Sequence, residues 1–182
     1  GYVPAAIFAS EQMTKQEGAG SKPASKTEEA PLTDWETKLI AACDQWQNLF
    51  PDHKNTRKII FKSARLLYGK NHFKAASDRF RVVIGMNPKS NEAIEAANLI
   101  LDSFVLVEDW QNLKEVSKAF RDQEGLGSKA FKTEVAAIYQ NASFKLIQLD
   151  LEKNQNKAQA ADSFMGFYGE FPDSKVADVA LN

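Results

Sequence analysis

The sequence predicts an all-α fold of stacked antiparallel helical hairpins wound as a right-handed solenoid, and three observations carry that expectation. Apolar residues recur at steps of three and four through most of the chain after residue 32. Pro51, Pro88 and Pro172 each follow an aromatic-bearing stripe and precede a polar cap. No stretch after residue 32 alternates apolar and polar side chains as a half-buried strand does.

Residues 1–31 mix Gly, Ala, Ser, Lys and Glu with three prolines, and carry little apolar content after Phe8. They are expected to be a flexible arm or linker, with Tyr2 to Ala9 a disordered tail or an extended strap. At Thr33 the register changes. Thr33 and Glu36 form a capping box, and Leu39, Ala42, Cys43, Trp46 and Phe50 fall on one helical face that Pro51 ends. Ile60, Ala64 and Leu67 mark the next helix, and Gly69 to Asn71 turn the chain into Phe73, Ala76, Phe80 and Val83, closed by Pro88. Ser90 caps a stripe of Ile94, Ala97, Leu101 and Phe104 that breaks at Glu108 and Asp109. Trp110, Leu113, Val116 and Phe120 follow. The loop Gly125-Leu126-Gly127 stops that helix, and Ser128 caps a longer one through Phe131, Val135, Ile138, Ala142, Leu146 and Leu149. Asn154 to Asn156 turn into Ala160, Phe164, Phe167 and Phe171, and Ser174 is expected to start one more helix.

The three prolines are separated by 37 and then 84 residues, and 84 is twice 42. A period of roughly 34 to 42 residues built from two antiparallel helices is the signature of a helical solenoid, in which each hairpin buries its apolar face only by stacking on a neighbour. Counted back from Pro88, the segment from Leu66 to Val83 has an aromatic before the second helix (Phe73), a small residue (Ala76), a second aromatic (Phe80) and the closing proline. Counted back from Pro172, Ala160 and Phe164 occupy the same offsets; the middle unit has Leu113 and Ser117 there, with Gly125 in place of proline. On these residues the chain, from about 33 to 182, resembles the tetratricopeptide repeat (TPR) family. The phrase from Phe171 to Ala180 is similar to the one joining repeats in bacterial envelope members of that family, of the outer-membrane assembly lipoprotein and Tol-Pal coordination type. The resemblance implies a TPR-like repeat domain over 32–182, continuing beyond residue 182, with a partner protein or peptide held on the concave face and no chemistry of its own. It implies a periplasmic or outer-membrane-associated location, with the cytoplasm as alternative. A leader, a lipid anchor or further domains are expected outside residues 1–182.

Composition excludes several classes. A formal net charge of −1 lacks the positive excess of a dedicated nucleic-acid binder. The single cysteine, Cys43, can close no intramolecular disulfide and builds no zinc site alone. The most apolar run, Leu99 to Val107, is too short for a membrane span and contains Asp102. His53 and His72 stand at helix boundaries with no ligand at a metal-binding interval, so surface turns are their expected place. Gly125-Leu126-Gly127 follows no strand and is no phosphate loop, and Asn141-Ala142-Ser143 matches a glycosylation pattern only in mid-helix. Phe164, Phe167, Tyr168 and Phe171, like Trp35, Trp46 and Trp110, are expected to pack rather than to hold a ligand. No catalytic residue, cofactor, metal or small-molecule substrate is expected.

Charge patterning is sharper. Between Asp52 and Lys89 ten basic residues face two acids, an excess of +8, and between Glu92 and Glu124 eight acids face three bases, an excess of −5. Three origins fit: solvated faces that simply vary, successive repeats that attract one another, or a basic patch that steers an acidic partner. The resemblance places the concave residues on the first helix of each hairpin, four and three apart. That selects Phe61, Arg65 and Tyr68, then Asn98, Asp102 and Val105, and in the long helix Asn141, Lys145 and Gln148. Lys58 and Lys62 join the set as the steering charges. Phe61 stands where the family's carboxylate clamp has a lysine, so recognition of a C-terminal carboxylate is not expected. Two other readings stay open: a basic hairpin binding a polyanionic surface of nucleic acid, lipid or glycan, and the regulatory arm of a larger enzyme.

Overall fold

Side-chain caps set most of the helix starts. Thr33 Oγ1 accepts from the Glu36 amide while the Glu36 carboxylate accepts from the Thr33 amide at 2.8 Å, so two orphan donors are satisfied at the start of one helix. Ser90, Asp109, Ser128 and Asn156 each accept from the amide three residues on. The computed structural model describes residues 2–16, 22–172 and 174. Among them it is all-helical: α1 (Tyr2–Gln16), α2 (Asp34–Leu49), α3 (Thr56–Gly69), α4 (Phe73–Met86), α5 (Asn91–Leu106), α6 (Trp110–Asp122), α7 (Lys129–Asn154) and α8 (Lys157–Glu170), with no strand. The turns between them use left-handed backbone at Asn71, Glu108 and Gln155, and at Gly125 and Gly127, where the missing Cβ makes positive φ easy. The helix expected after Ser174 lies outside the described residues.

The described residues form two compact units. The first runs to Val107 and includes Gly125–Gly127; the second comprises Glu108–Glu124 and the chain from Ser128 onward. The expected irregular middle repeat is thereby divided, its first helix α5 in one unit and its second, α6, in the other.

In the first unit α3 packs on α4, and α5 packs on both. Ile60 and Ala64 of α3, Ala76, Phe80 and Val83 of α4, and Ala93, Ala96, Ala97 and Ile100 of α5 are all buried. Phe80, wholly buried, meets Phe61 at 5.7 Å and Tyr68 at 6.4 Å between centroids. Buried Ser63 and Ser103 satisfy their hydroxyls on carbonyls of their own helices, from Ile60 and Ile100. Helix α2 joins through Trp46, whose indole N–H donates to Thr56 Oγ1 at 3.0 Å, and through Asp44, which takes a two-pronged grip from Arg79 of α4.

Within the stretch expected to be an arm, the described residues 2–16 and 22–31 make specific contacts. Tyr2–Gln16 is helical rather than extended: Pro4 lies in the first turn, where a missing N–H costs nothing, and Ala5, Ala6 and Ala9 favour helix. Ile7 is buried with Leu39, Ala42, Cys43 and Trp46. The segment before α2 is fixed by its backbone. Asn71 Nδ2 donates to the carbonyls of Ser25 and Glu28, His72 Nε2 donates to that of Ala30, and the Ala30 amide donates to the Lys70 carbonyl at 2.9 Å. Beneath this seam Glu36 pairs with Lys70 at 3.1 Å, with both side chains almost wholly out of solvent.

In the second unit α7 is the spine. Helix α6 packs along it, Phe131 and Val135 of α7 are buried, and Lys132 Nζ reaches the Phe120 and Gln123 carbonyls at the α6 C-terminus, where a cation complements unpaired carbonyls. The second half of α7 holds α8 through Phe144, which packs on Phe164 and Phe167 at 5.5 Å. Tyr139 meets both neighbours: Arg121 lies 4.7 Å over its ring and its hydroxyl donates to Glu170 at 2.7 Å. Of the expected aromatic stripe, Phe167 is buried and Phe164 and Phe171 pack beside it, while Tyr168 is exposed.

Candidate partner-binding face

Helices α3 and α5 lie side by side in the first unit, tied by three cross-links in sequence order. Arg57 meets Glu92 at 3.4 Å, Arg65 meets Glu95 at 3.3 Å, and the Tyr68 hydroxyl donates to Asp102. Because early residues pair with early and late with late, the two helices run parallel, with α4 as the returning strut. A single ion pair, Arg79 with Asp44, links α4 to α2.

This arrangement brings most of the expected residues together. Lys58, Lys62 and Arg65 are exposed on α3, and Asn98, Asp102 and Val105 are exposed on α5. Phe61 is the exception. It is buried against Phe80, so it fills the interior and is not available to a partner. The four-and-three spacing selected the right side of α3 but not how far round the helix the α4 interface reaches. Tyr68 is half-buried between Phe73 at 5.4 Å and Phe80, with only its hydroxyl end at the face. Burial, reinforced by the Asp102 hydrogen bond, raises its phenol pKa well above the ordinary value, so it is a neutral donor at every physiological pH. In the second unit Asn141 is exposed and Lys145 and Gln148 are half-buried.

The basic excess is largely matched inside the first unit. Arg57, Lys62, Arg65, Lys70, Lys74 and Arg79, six of the ten basic residues between Asp52 and Lys89, sit in ion pairs. Their partners outside the basic block are Glu11, Glu36, Asp44, Glu92 and Glu95; for Glu92 and Glu95 the switch from a basic to an acidic block was the signal. Pairs as exposed as Arg65 and Glu95 contribute little to folding, on the order of 0–1 kcal/mol, and leave their charges open to exchange with another molecule.

Cys43 is buried, and that burial, with Asp44 beside it, pushes its thiol up to about 11, away from nucleophilic range. Among the described residues no group of three or more His, Cys, Asp or Glu could hold a metal ion, and no helix is long and apolar enough to cross a membrane. Compared with protein-family models and with curated proteins, the sequence finds no match in either.

Proposed function

We propose that the chain is a non-enzymatic interaction scaffold of tetratricopeptide type that holds a partner protein or peptide across the α3/α5 face. The observation that carries this reading is the parallel pair α3 and α5, linked by side chains 30 to 35 residues apart. A translation of one hairpin length between like helices is what a stacked repeat produces, and a stacked repeat leaves its first helices as a continuous ledge. On that ledge Lys58, Lys62, Arg65, Asn98 and Val105 offer cations, an amide and an aliphatic patch within one surface, a mixture suited to a polar peptide with an apolar anchor. Membership of an envelope assembly, as the 171–180 phrase suggests, is part of the same proposal.

Photo-crosslinking tests it. A crosslinker replacing Asn98 in the intact protein, in its own cell, should trap a discrete partner that Lys58→Glu with Arg65→Glu abolishes without changing the melting temperature. A crosslinker at exposed Met165 in the second unit is the control. Equal trapping at both positions removes the assignment of the face.

A further inference from the structure

We infer that His72 is a proton-operated latch: as imidazolium it binds the Glu29 carboxylate and the Ala30 carbonyl together, fastening residues 25–30 across the turn between α3 and α4, and loss of the proton releases the Glu29 end. The latch stands apart from the α3/α5 face and works whether or not that face binds anything.

Both ring nitrogens face an acceptor. Nε2 lies 2.9 Å from the Ala30 carbonyl oxygen, and Nδ1 lies 3.2 Å from a Glu29 carboxylate oxygen. A neutral imidazole has one N–H and one lone pair, so it serves one of these oxygens and turns its lone pair on the other. Only the protonated ring donates to both. His53, the chain's other histidine, is arranged the opposite way: its Nδ1 accepts from the Asn55 amide at 3.2 Å, a bond that a proton there would break.

The surroundings leave those two oxygens to decide. Lys70 turns its ammonium to Glu36 in a buried pair whose charges cancel. Lys74 of α4 pairs with Asp78 and its side chain is 91% exposed, and Lys26 and Glu28 are exposed as well, so solvent screens all of them. The ring stands between the C-terminus of α3, which favours a cation, and the N-terminus of α4, which disfavours one, so the two helix ends oppose each other. The Glu29 side chain is 63% exposed and can turn into water when Nδ1 carries no proton, leaving the neutral ring on Ala30 alone.

The seam rests on few bonds. Asn71 holds the Ser25 and Glu28 carbonyls, the Ala30 amide reaches the Lys70 carbonyl at 2.9 Å, and beside them a cleft of about 600 Å³ separates residues 22–26 from Gly69, Lys70 and Asn71. Proton uptake therefore tightens the strap over the Glu36–Lys70 pair. Because the proton is held by two acceptors when latched and by water when released, latching is strongest below the range in which histidines ionise and weakens as pH rises through it.

Hydrogen exchange of the full chain, followed by NMR and corrected for the intrinsic rate, tests the latch at the Ala30 amide, with the amide of buried Val83 reporting global unfolding. From about pH 7.5 to about pH 5.5, protection at Ala30 should rise about fivefold relative to Val83. Glu29→Gln should remove that rise while keeping the protection seen at the higher pH, and His53→Gln should leave the rise intact. His72→Gln, which takes up no proton, should also remove it; if that variant loses the seam altogether, Glu29→Gln still carries the comparison. Protection at Ala30 that does not change with pH, that changes only as Val83 does, that still rises in Glu29→Gln, or that stops rising in His53→Gln overturns the inference.

Discussion

Lys70→Met is the substitution that tests the packing most directly, because it separates two charges that neither side can return to water. Glu36 is 3% exposed and Lys70 7% exposed, and their charged atoms are 3.1 Å apart. At an effective dielectric of about 20 that separation is an attraction of about 5 kcal/mol, which several kcal/mol of lost hydration per ion offset, so the intact pair contributes little net stability. Breaking it is another matter. Lys70→Met leaves Glu36 charged and buried, and should cost about 3–5 kcal/mol. Glu36→Gln takes the countercharge from beside the buried ammonium and should also destabilise, while keeping a side chain that can serve the Thr33 capping box. The double variant, with no charge left to bury, should cost only about 1 kcal/mol, a coupling of several kcal/mol. Urea denaturation followed by tryptophan fluorescence measures all three. If the double variant loses the sum of the two single losses, the groups do not interact as a buried pair and the reasoning fails.

Three other outcomes are expected. Phe80→Ala, which empties the space among Phe61, Tyr68 and the alanines of α5, should lower stability by about 3–5 kcal/mol with little change in denaturant slope; a loss below about 1 kcal/mol would place the ring outside the core. Cys43 has its folded-state pKa raised from 9.0 to about 11, so folding keeps the thiol protonated. Its stability contribution is present below pH 9 and lost as pH rises toward 11, on the order of 3 kcal/mol in all, and Cys43→Ala should flatten that decline in alkaline melting curves. Residues 22–31 should resist protease in the intact chain and become cleavable on Asn71→Ala, which removes both side-chain bonds to Ser25 and Glu28; rapid cutting of the unaltered chain would mean the seam does not hold in solution.

Much of the fold was legible because it is written locally. The caps at Thr33, Ser90 and Ser128 and the breaks at Pro51, Pro88 and Gly125 act within a few residues of themselves, and the stripes they bracket appear as helices. What escaped depends on partners far along the chain. Residues 22–31 are held by main-chain carbonyls, which carry no residue identity; only the demand of Asn71 for a left-handed turn with an outward amide hinted at it. The α1 helix was hidden because one anchor, Ile7, is too sparse a pattern to show periodicity. At the candidate face the charge blocks were visible, and one of the origins considered for them, attraction between neighbours, has physical partners in Arg57 with Glu92 and Arg65 with Glu95. Phe61 was misplaced because spacing along a helix fixes an angle, while the width of the buried arc depends on how close α4 comes.

Helix α7 spans 26 residues, about 39 Å of axis, and its two neighbours hold it unequally. That difference sets an order of opening. Helix α8 is held by a small aromatic cluster and the Tyr139 hydroxyl, with Phe171 against the Tyr139 ring, whereas α6 is clamped by Lys132 and reaches along α7 to the cleft where Gln111 and Lys114 meet Ser143 and Leu146. Amide hydrogens of α8 should therefore exchange through a low-energy detachment, while those of α7 between Phe131 and Ala142 wait for the unit to unfold. A helix with two neighbours would then keep its protection when one of them leaves.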